Sequence, residues 1–92
     1  MAQVIITIKI MPDSPDVDIS GLESAAKEKI AVFAGNTETR TEIEPIAFGL
    51  KAVKIRFIMD ESKGSTEALE DEISQIEGVN SVEVVDVRRA VG

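Results

Sequence analysis

Glu44-Pro45-Ile46-Ala47-Phe48-Gly49-Leu50-Lys51 reads as a turn between two strands. Pro45 and Gly49 are turn residues, and period-two alternation stops on either side of them. Upstream, Thr37, Thr39, Thr41 and Ile43 alternate with Glu38, Arg40 and Glu42, the pattern of a charged edge strand that resists pairing with other chains. Downstream, Val53, Ile55, Phe57 and Met59 alternate with Ala52, Lys54, Arg56 and Ile58, giving a strand with one inner face. Two strands therefore follow one another directly in the middle of the chain. A helical pattern flanks the pair on each side, and that placement decides the fold.

The turn is hydrophobic where turns are usually polar, because Ile46, Phe48 and Leu50 are large and apolar. Phe48 is one of three aromatic residues. Phe33 falls on a helical stripe and Phe57 on a strand face, whereas Phe48 fits neither period. Two readings stand beside each other. In one, the ring folds back and plugs the end of the core. In the other, it is a rigid apolar peg offered to a partner, the kind of anchor that dominates binding energy.

Outward from the turn, Val4-Ile5-Ile6-Thr7-Ile8-Lys9-Ile10 predicts a first strand, ended by the loop residues Met11-Pro12-Asp13-Ser14-Pro15-Asp16. A helix follows, with Ser20 and Glu23 at capping-box spacing and a stripe of Ile19, Leu22, Ala26, Ile30 and Phe33. Gly35-Asn36 is expected to end it. On the far side, Asp60-Glu61-Ser62-Lys63-Gly64-Ser65 is a polar loop, and Ser65 or Thr66 caps a second helix. Its first turn carries Glu67, its stripe is Leu69, Ile73 and Ile76, and Gly78 is expected to end it. Ser81-Val82-Glu83-Val84-Val85-Asp86-Val87 predicts the last strand, with Arg88 to Gly92 as a short tail. The order β-α-β-β-α-β predicts an α+β, ferredoxin-like fold: a four-stranded antiparallel sheet with two helices on one face. Lys9, Lys54 and Arg56 are expected on the open face.

Composition narrows the function. Ninety-two residues, 43% of them hydrophobic, make a single domain over 1–92 with one modest core. No cysteine and no histidine is present, which removes thiolate chemistry, disulfides, the commonest general base and the commonest metal ligand. No apolar run approaches eighteen residues and no signal peptide opens the chain, so neither a membrane partner nor export is expected, and a cytoplasmic location is. A net charge of −7 argues against direct nucleic-acid binding. The charge is uneven: from Asp60 to Asp86 there are nine acidic residues and one basic, Lys63. A solvated acidic face accounts for that run, and a basic partner surface is the sharper reading.

Enzymatic motifs are missing. The open-face positions hold no aromatic side chain for stacking bases. Acylphosphatases of this fold cradle phosphate in a loop with arginine and asparagine, whereas the loop after the first strand offers Pro12, Asp13, Pro15 and Asp16. Lys63-Gly64-Ser65-Thr66 has the wrong order for a P-loop. Asp13, Asp16 and Asp18 lack the glycine and glutamate of a calcium loop. No nucleophile–base pair is evident, so no catalytic residue, cofactor or metal is expected.

Three stretches carry a family likeness: Glu44-Pro45-Ile46-Ala47-Phe48-Gly49-Leu50-Lys51-Ala52, Ile10-Met11-Pro12, and Val82-Glu83-Val84-Val85-Asp86-Val87-Arg88-Arg89. Over essentially its whole length the chain resembles archaeal translation elongation factor 1-beta, and Pro-Ile-Ala-Phe-Gly is the most specific part. The resemblance implies a guanine-nucleotide exchange factor, monomeric when free, whose partner is the GTPase elongation factor 1-alpha. It implies that Phe48 inserts into that GTPase, with Pro45, Ile46, Gly49, Leu50 and Lys51 forming the supporting turn and rim. In eukaryotic relatives a lysine near the C-terminus, closest in position to Arg89, reaches toward the magnesium site. Here Arg88 and Arg89 stand in that region, and a rigid guanidinium fork is not equivalent to a compact ammonium group. A ferredoxin-like regulatory or interaction domain without exchange activity is the alternative. The two sites carry a geometric tension: the turn after the second strand lies at one end of the sheet, and the last strand finishes at the other.

Overall fold

A computed structural model describes residues 3–35 and 38–90. The roles expected of Asn36, Thr37, Val91 and Gly92 lie outside these residues. Four strands, β1 (Gln3–Pro12), β2 (Thr39–Pro45), β3 (Lys51–Asp60) and β4 (Val79–Ala90), alternate with two helices, α1 (Ile19–Ala34) and α2 (Glu67–Ser74), in the order β-α-β-β-α-β. The sheet is antiparallel throughout, with strand order β2-β3-β1-β4. This is the ferredoxin-like arrangement that the central pair of strands predicted, with the charged strand β2 at an edge.

Alternation puts one side of each central strand into the core. Ile6, Ile8 and Ile10 of β1 lie beside Phe57, Ile55 and Val53 of β3 and pack under Leu22, Ala26 and Ile30 of α1 and Leu69 and Ile73 of α2. Each such side chain, fully buried, stabilises the fold by about 1.5–3 kcal/mol. Phe33, Ile19 and Ile76 pack partly buried at the margin. Lys9, Lys54 and Arg56 lie on the opposite, open face, as their alternation requires.

Several boundaries differ from the sequence reading, each for a physical reason. Strand β1 runs on through Pro12, which pairs with Val79 across a register shift and is fully buried. A proline read as a loop breaker thus closes that end of the core. The expected capping box does not form: α1 begins at Ile19, and Asp18 is the N-cap without a side-chain cap hydrogen bond. Glu23 instead bridges to Lys27 at 2.9 Å, one turn along the helix. The Asp18 carboxylate folds over Gly21, where an added Cβ would sit 2.9 Å from Oδ2. Ser65 does turn the chain into α2, its hydroxyl accepting the Glu67 N–H at 3.1 Å. That helix stops at Ser74, and the chain reaches β4 through a turn in which Ile76 and Val79 N–H groups bond back to the Ile73 and Ile76 carbonyls.

The largest correction concerns the expected tail. Arg88 and Arg89 belong to β4, opposite Ile5 and Val4 of β1. Between Thr7–Asp86 and Ile8–Val84 the register slips by one residue, and Val85 is the extra residue of a β-bulge. The bulge lets Val82, Val84 and Val87 lie opposite Ile10, Ile8 and Ile6 although their sequence spacing is uneven. Without it, one half of the strand would present its valines to the wrong side.

Candidate functional site

The β2–β3 connection is built by main-chain hydrogen bonds. Pro45 pairs with Lys51, and the Ile46 N–H donates to the Leu50 carbonyl at 2.7 Å, closing a loop of residues 46–50. Inside it, Ala47–Gly49 forms a single 3₁₀ turn. Phe48 has φ 64° and ψ 28°, the left-handed region, and it is the only non-glycine residue with positive φ among those described. Gly49 follows with φ 78°. Glycine adopts this conformation freely, whereas phenylalanine accepts a cost of about 1–2 kcal/mol.

That backbone throws the ring outward. Phe48 is 93% exposed, so it does not plug the core, whose end is already filled by Ile10, Pro12 and Val53. Ile46 and Leu50 are half-buried on either side, while Lys51 is exposed. The loop is steadied from below: Pro15 carbons lie 3.8–3.9 Å from where a Cβ on Gly49 would be. Pro15 belongs to the β1–α1 loop, itself tied to the α2–β4 turn by the Asp13 N–H on the Gly78 carbonyl at 2.8 Å. Pro12, Pro15, Val17, Ile19, Gly49 and Lys51 line a shallow cleft of about 260 Å³ beside the loop.

Arg88 and Arg89 lie at the other end. The hairpin turn sits beside Lys51, whereas Arg88 stands level with Ile5 and Ile58, seven residues along β3. At about 3.3 Å per residue, the two sites are roughly 23 Å apart along the sheet. Both guanidinium groups are engaged within the chain: Arg88 Nε lies 3.0 Å from Asp86 Oδ2, and Arg89 pairs with Glu61 after β3. Structure therefore groups Pro45, Ile46, Phe48, Gly49, Leu50 and Lys51 on one hairpin and leaves the two arginines apart from them.

One feature of the open face escaped the sequence. Arg40 stands directly opposite Arg56, which stands opposite Thr7, which stands opposite Asp86, so the four form one row across all strands. The alternation placed Arg56 there. Only the strand register aligns it with Arg40, and only the bulge brings Asp86 and Arg88 onto the same face. The Val84-Val85 doublet, an interruption of strict alternation, was the available signal.

Comparisons with known proteins agree with this architecture. Residues 5–90 match the model of the EF-1 guanine nucleotide exchange domain. Elongation factor 1-beta of Methanothermobacter thermautotrophicus is 45% identical over 89 residues, covering 97% of this chain and 98% of that protein. The same factor from Methanocella arvoryzae is 44% identical over 90 residues, covering 98% and 99% of the two chains. Among solved structures, the de novo designed protein Foldit4 superposes with a TM-score of 0.66 at 19% identity, covering 98% of each chain. The ACT domain from a Chlorobium tepidum GTP pyrophosphokinase gives 0.57 at 20% identity, covering 90% of this chain and 99% of that one. At such identities the structural likenesses speak for the fold alone. Agreement with the sequence relatives is of another order, spans nearly every residue, and places the chain in the EF-1 guanine nucleotide exchange domain family.

Proposed function

We propose that the chain is a guanine-nucleotide exchange factor that promotes GDP release and GTP reloading on elongation factor 1-alpha. The observation that carries the site assignment is Phe48: a large apolar ring, 93% exposed, on a left-handed backbone that a sealed turn would have no reason to maintain. Pro45, Ile46, Gly49, Leu50 and Lys51 fix and rim that ring. Family membership supports the activity and the identity of the partner.

The mechanism is differential binding without covalent chemistry. A factor with equal affinity for the GDP-bound and nucleotide-free GTPase shifts nothing, so Phe48 must find its pocket better formed in the empty state. A buried aromatic anchor at an interface is worth 2 kcal/mol or more, a bias of roughly thirtyfold. Arg88 and Arg89 act at a second contact, where cationic groups compete with the partner's magnesium and so weaken GDP binding. Separation of the two sites requires the GTPase to lie along the length of the sheet. GTP then rebinds and expels the factor.

The test is release of fluorescent GDP from the elongation factor 1-alpha of the same organism, followed by stopped flow with and without this protein. Acceleration by the native chain is expected, and its absence overturns the reading. Unchanged acceleration by Phe48→Ala would leave the activity standing and remove Phe48 from it.

A further inference from the structure

The open face of the sheet carries a second feature, of which the exchange reading uses only Arg88. Five of the ten basic residues, Lys9, Arg40, Lys54, Arg56 and Arg88, lie there, although the chain as a whole carries −7. A cleft of about 500 Å³ opens on this face, and its lining includes Thr7, Arg40, Lys54 and Arg56 together with the carboxylates of Glu42 and Asp86. Lys54 is paired with Glu44 at 3.5 Å, and Arg88 with Asp86. Arg40 and Arg56 have no ion-pair partner among the described residues, yet they oppose each other directly across the β2–β3 ladder. Like charges so placed repel. Beside them Thr7 is only 7% exposed, and its Oγ1 has no hydrogen-bond partner. A buried hydroxyl left unpaired is costly. Both defects sit in one row of the sheet, and an anion held between the two guanidinium groups would relieve the repulsion.

We propose that this row is a binding site for a small tetrahedral oxyanion, a phosphate or pyrophosphate group. Two guanidinium forks on adjacent strands offer the bidentate donors that phosphate oxygens accept, above a floor to which Thr7 contributes. Acidic neighbours set the size of the ligand. The next row toward the hairpin places Glu42 and Glu83 outside Lys54 and Lys9, and Asp86 closes the arginine row at β4. A long polyanion tracking across the sheet would meet these carboxylates; one or two phosphates fit between them. The acidic run after Asp60 does not forbid binding, since fields between exposed charges are screened beyond about 8–10 Å at physiological salt.

The experiment is an amide-shift titration of the full isotope-labelled chain with sodium pyrophosphate, ionic strength being held constant with chloride. Saturable shifts centred on Thr7, Arg40 and Arg56 are expected, with binding weakened about tenfold or more by Arg40→Gln or Arg56→Gln. Thr7→Val, which removes the unpaired hydroxyl at nearly constant shape, should melt no lower than the native chain without the anion. Parallel titrations identify the source of the phosphate: equal affinity for GDP and pyrophosphate assigns the site to the phosphate group alone, and tighter GDP binding assigns it to a nucleotide. Tighter binding of short single-stranded RNA than of either would overturn the small-anion assignment. So would unsaturable shifts spread over Lys27, Lys51 and Lys63, or unchanged binding in both arginine variants.

Discussion

The two ends of the sheet solve opposite problems. At the hairpin end, Phe48 has neither core contact nor a relaxed backbone, and the fold holds it there with one short hydrogen bond and the packing of Pro15 on Gly49. At the far end, Arg88 and Arg89 are each neutralised by a carboxylate of their own chain. The first end is unsatisfied in isolation; the second is satisfied already. Engaging the hairpin with a partner costs only the ordering of a ring that is already positioned. Recruiting the arginines means first giving up Asp86 and Glu61.

Substitutions at the two ends should separate them, most strongly at the ring. Phe48→Ala should abolish accelerated GDP release, a loss of about thirtyfold or more in rate, while the urea midpoint stays close to that of the native chain. Equal loss of stability and activity would mean that the ring serves the fold instead. Backbone strain is the next effect. Gly49→Ala, at φ 78°, should lower stability by about 1–2 kcal/mol in urea denaturation. Phe48→Gly should be more stable than Phe48→Ala by about 1 kcal/mol, because glycine accepts the left-handed turn freely.

The arginine end should give smaller numbers. A double-mutant cycle on Arg89→Ala and Glu61→Ala should show a coupling of about 0.2–1 kcal/mol that fades in 1 M salt, as expected for an exposed pair. In the exchange assay the two changes should act in opposite directions: Glu61→Ala frees Arg89 and speeds release, Arg89→Ala slows it. Matching slopes in both variants would make the pair structural only. Smallest of all is the turn after β3, where the Asp60 carboxylate accepts the Ser62 N–H at 2.8 Å. That bond holds its pKa below the ordinary carboxylate value. A depressed pKa means that the ionised group stabilises the fold above the ordinary value, and the contribution is lost as pH falls through the lowered one. Asp60→Asn should therefore flatten the acid limb of the stability profile slightly and leave neutral pH nearly unchanged.

Much of the fold was legible because it depends on period. Ile6, Ile8 and Ile10, or Val53, Ile55 and Phe57, can all reach water-free surroundings only if each run is a strand with one side covered. The helical stripes supply the cover. The hairpin, too, was marked in the sequence by Pro45, Gly49 and three apolar residues where polar ones are usual. Boundaries were less legible: Pro12 looked like a terminator and became a core residue, and Ser20–Glu23 looked like a cap while Glu23 had a nearer cation in Lys27.

Local preference and alternation by themselves determined the element order, the edge position of β2, the inner faces of β1 and β3, and the existence of an apolar turn. Tertiary structure alone decided that Phe48 points outward, because whether a ring is buried depends on how much room its neighbours leave, and Ile10, Pro12 and Val53 leave none. It alone decided that Arg88 and Arg89 continue a strand, since pairing with Val4 and Ile5 is a long-range contact that no short window records. The bulge at Val85 and the row from Arg40 to Asp86 belong to the same class: register is a relation between strands, and a single strand does not carry it.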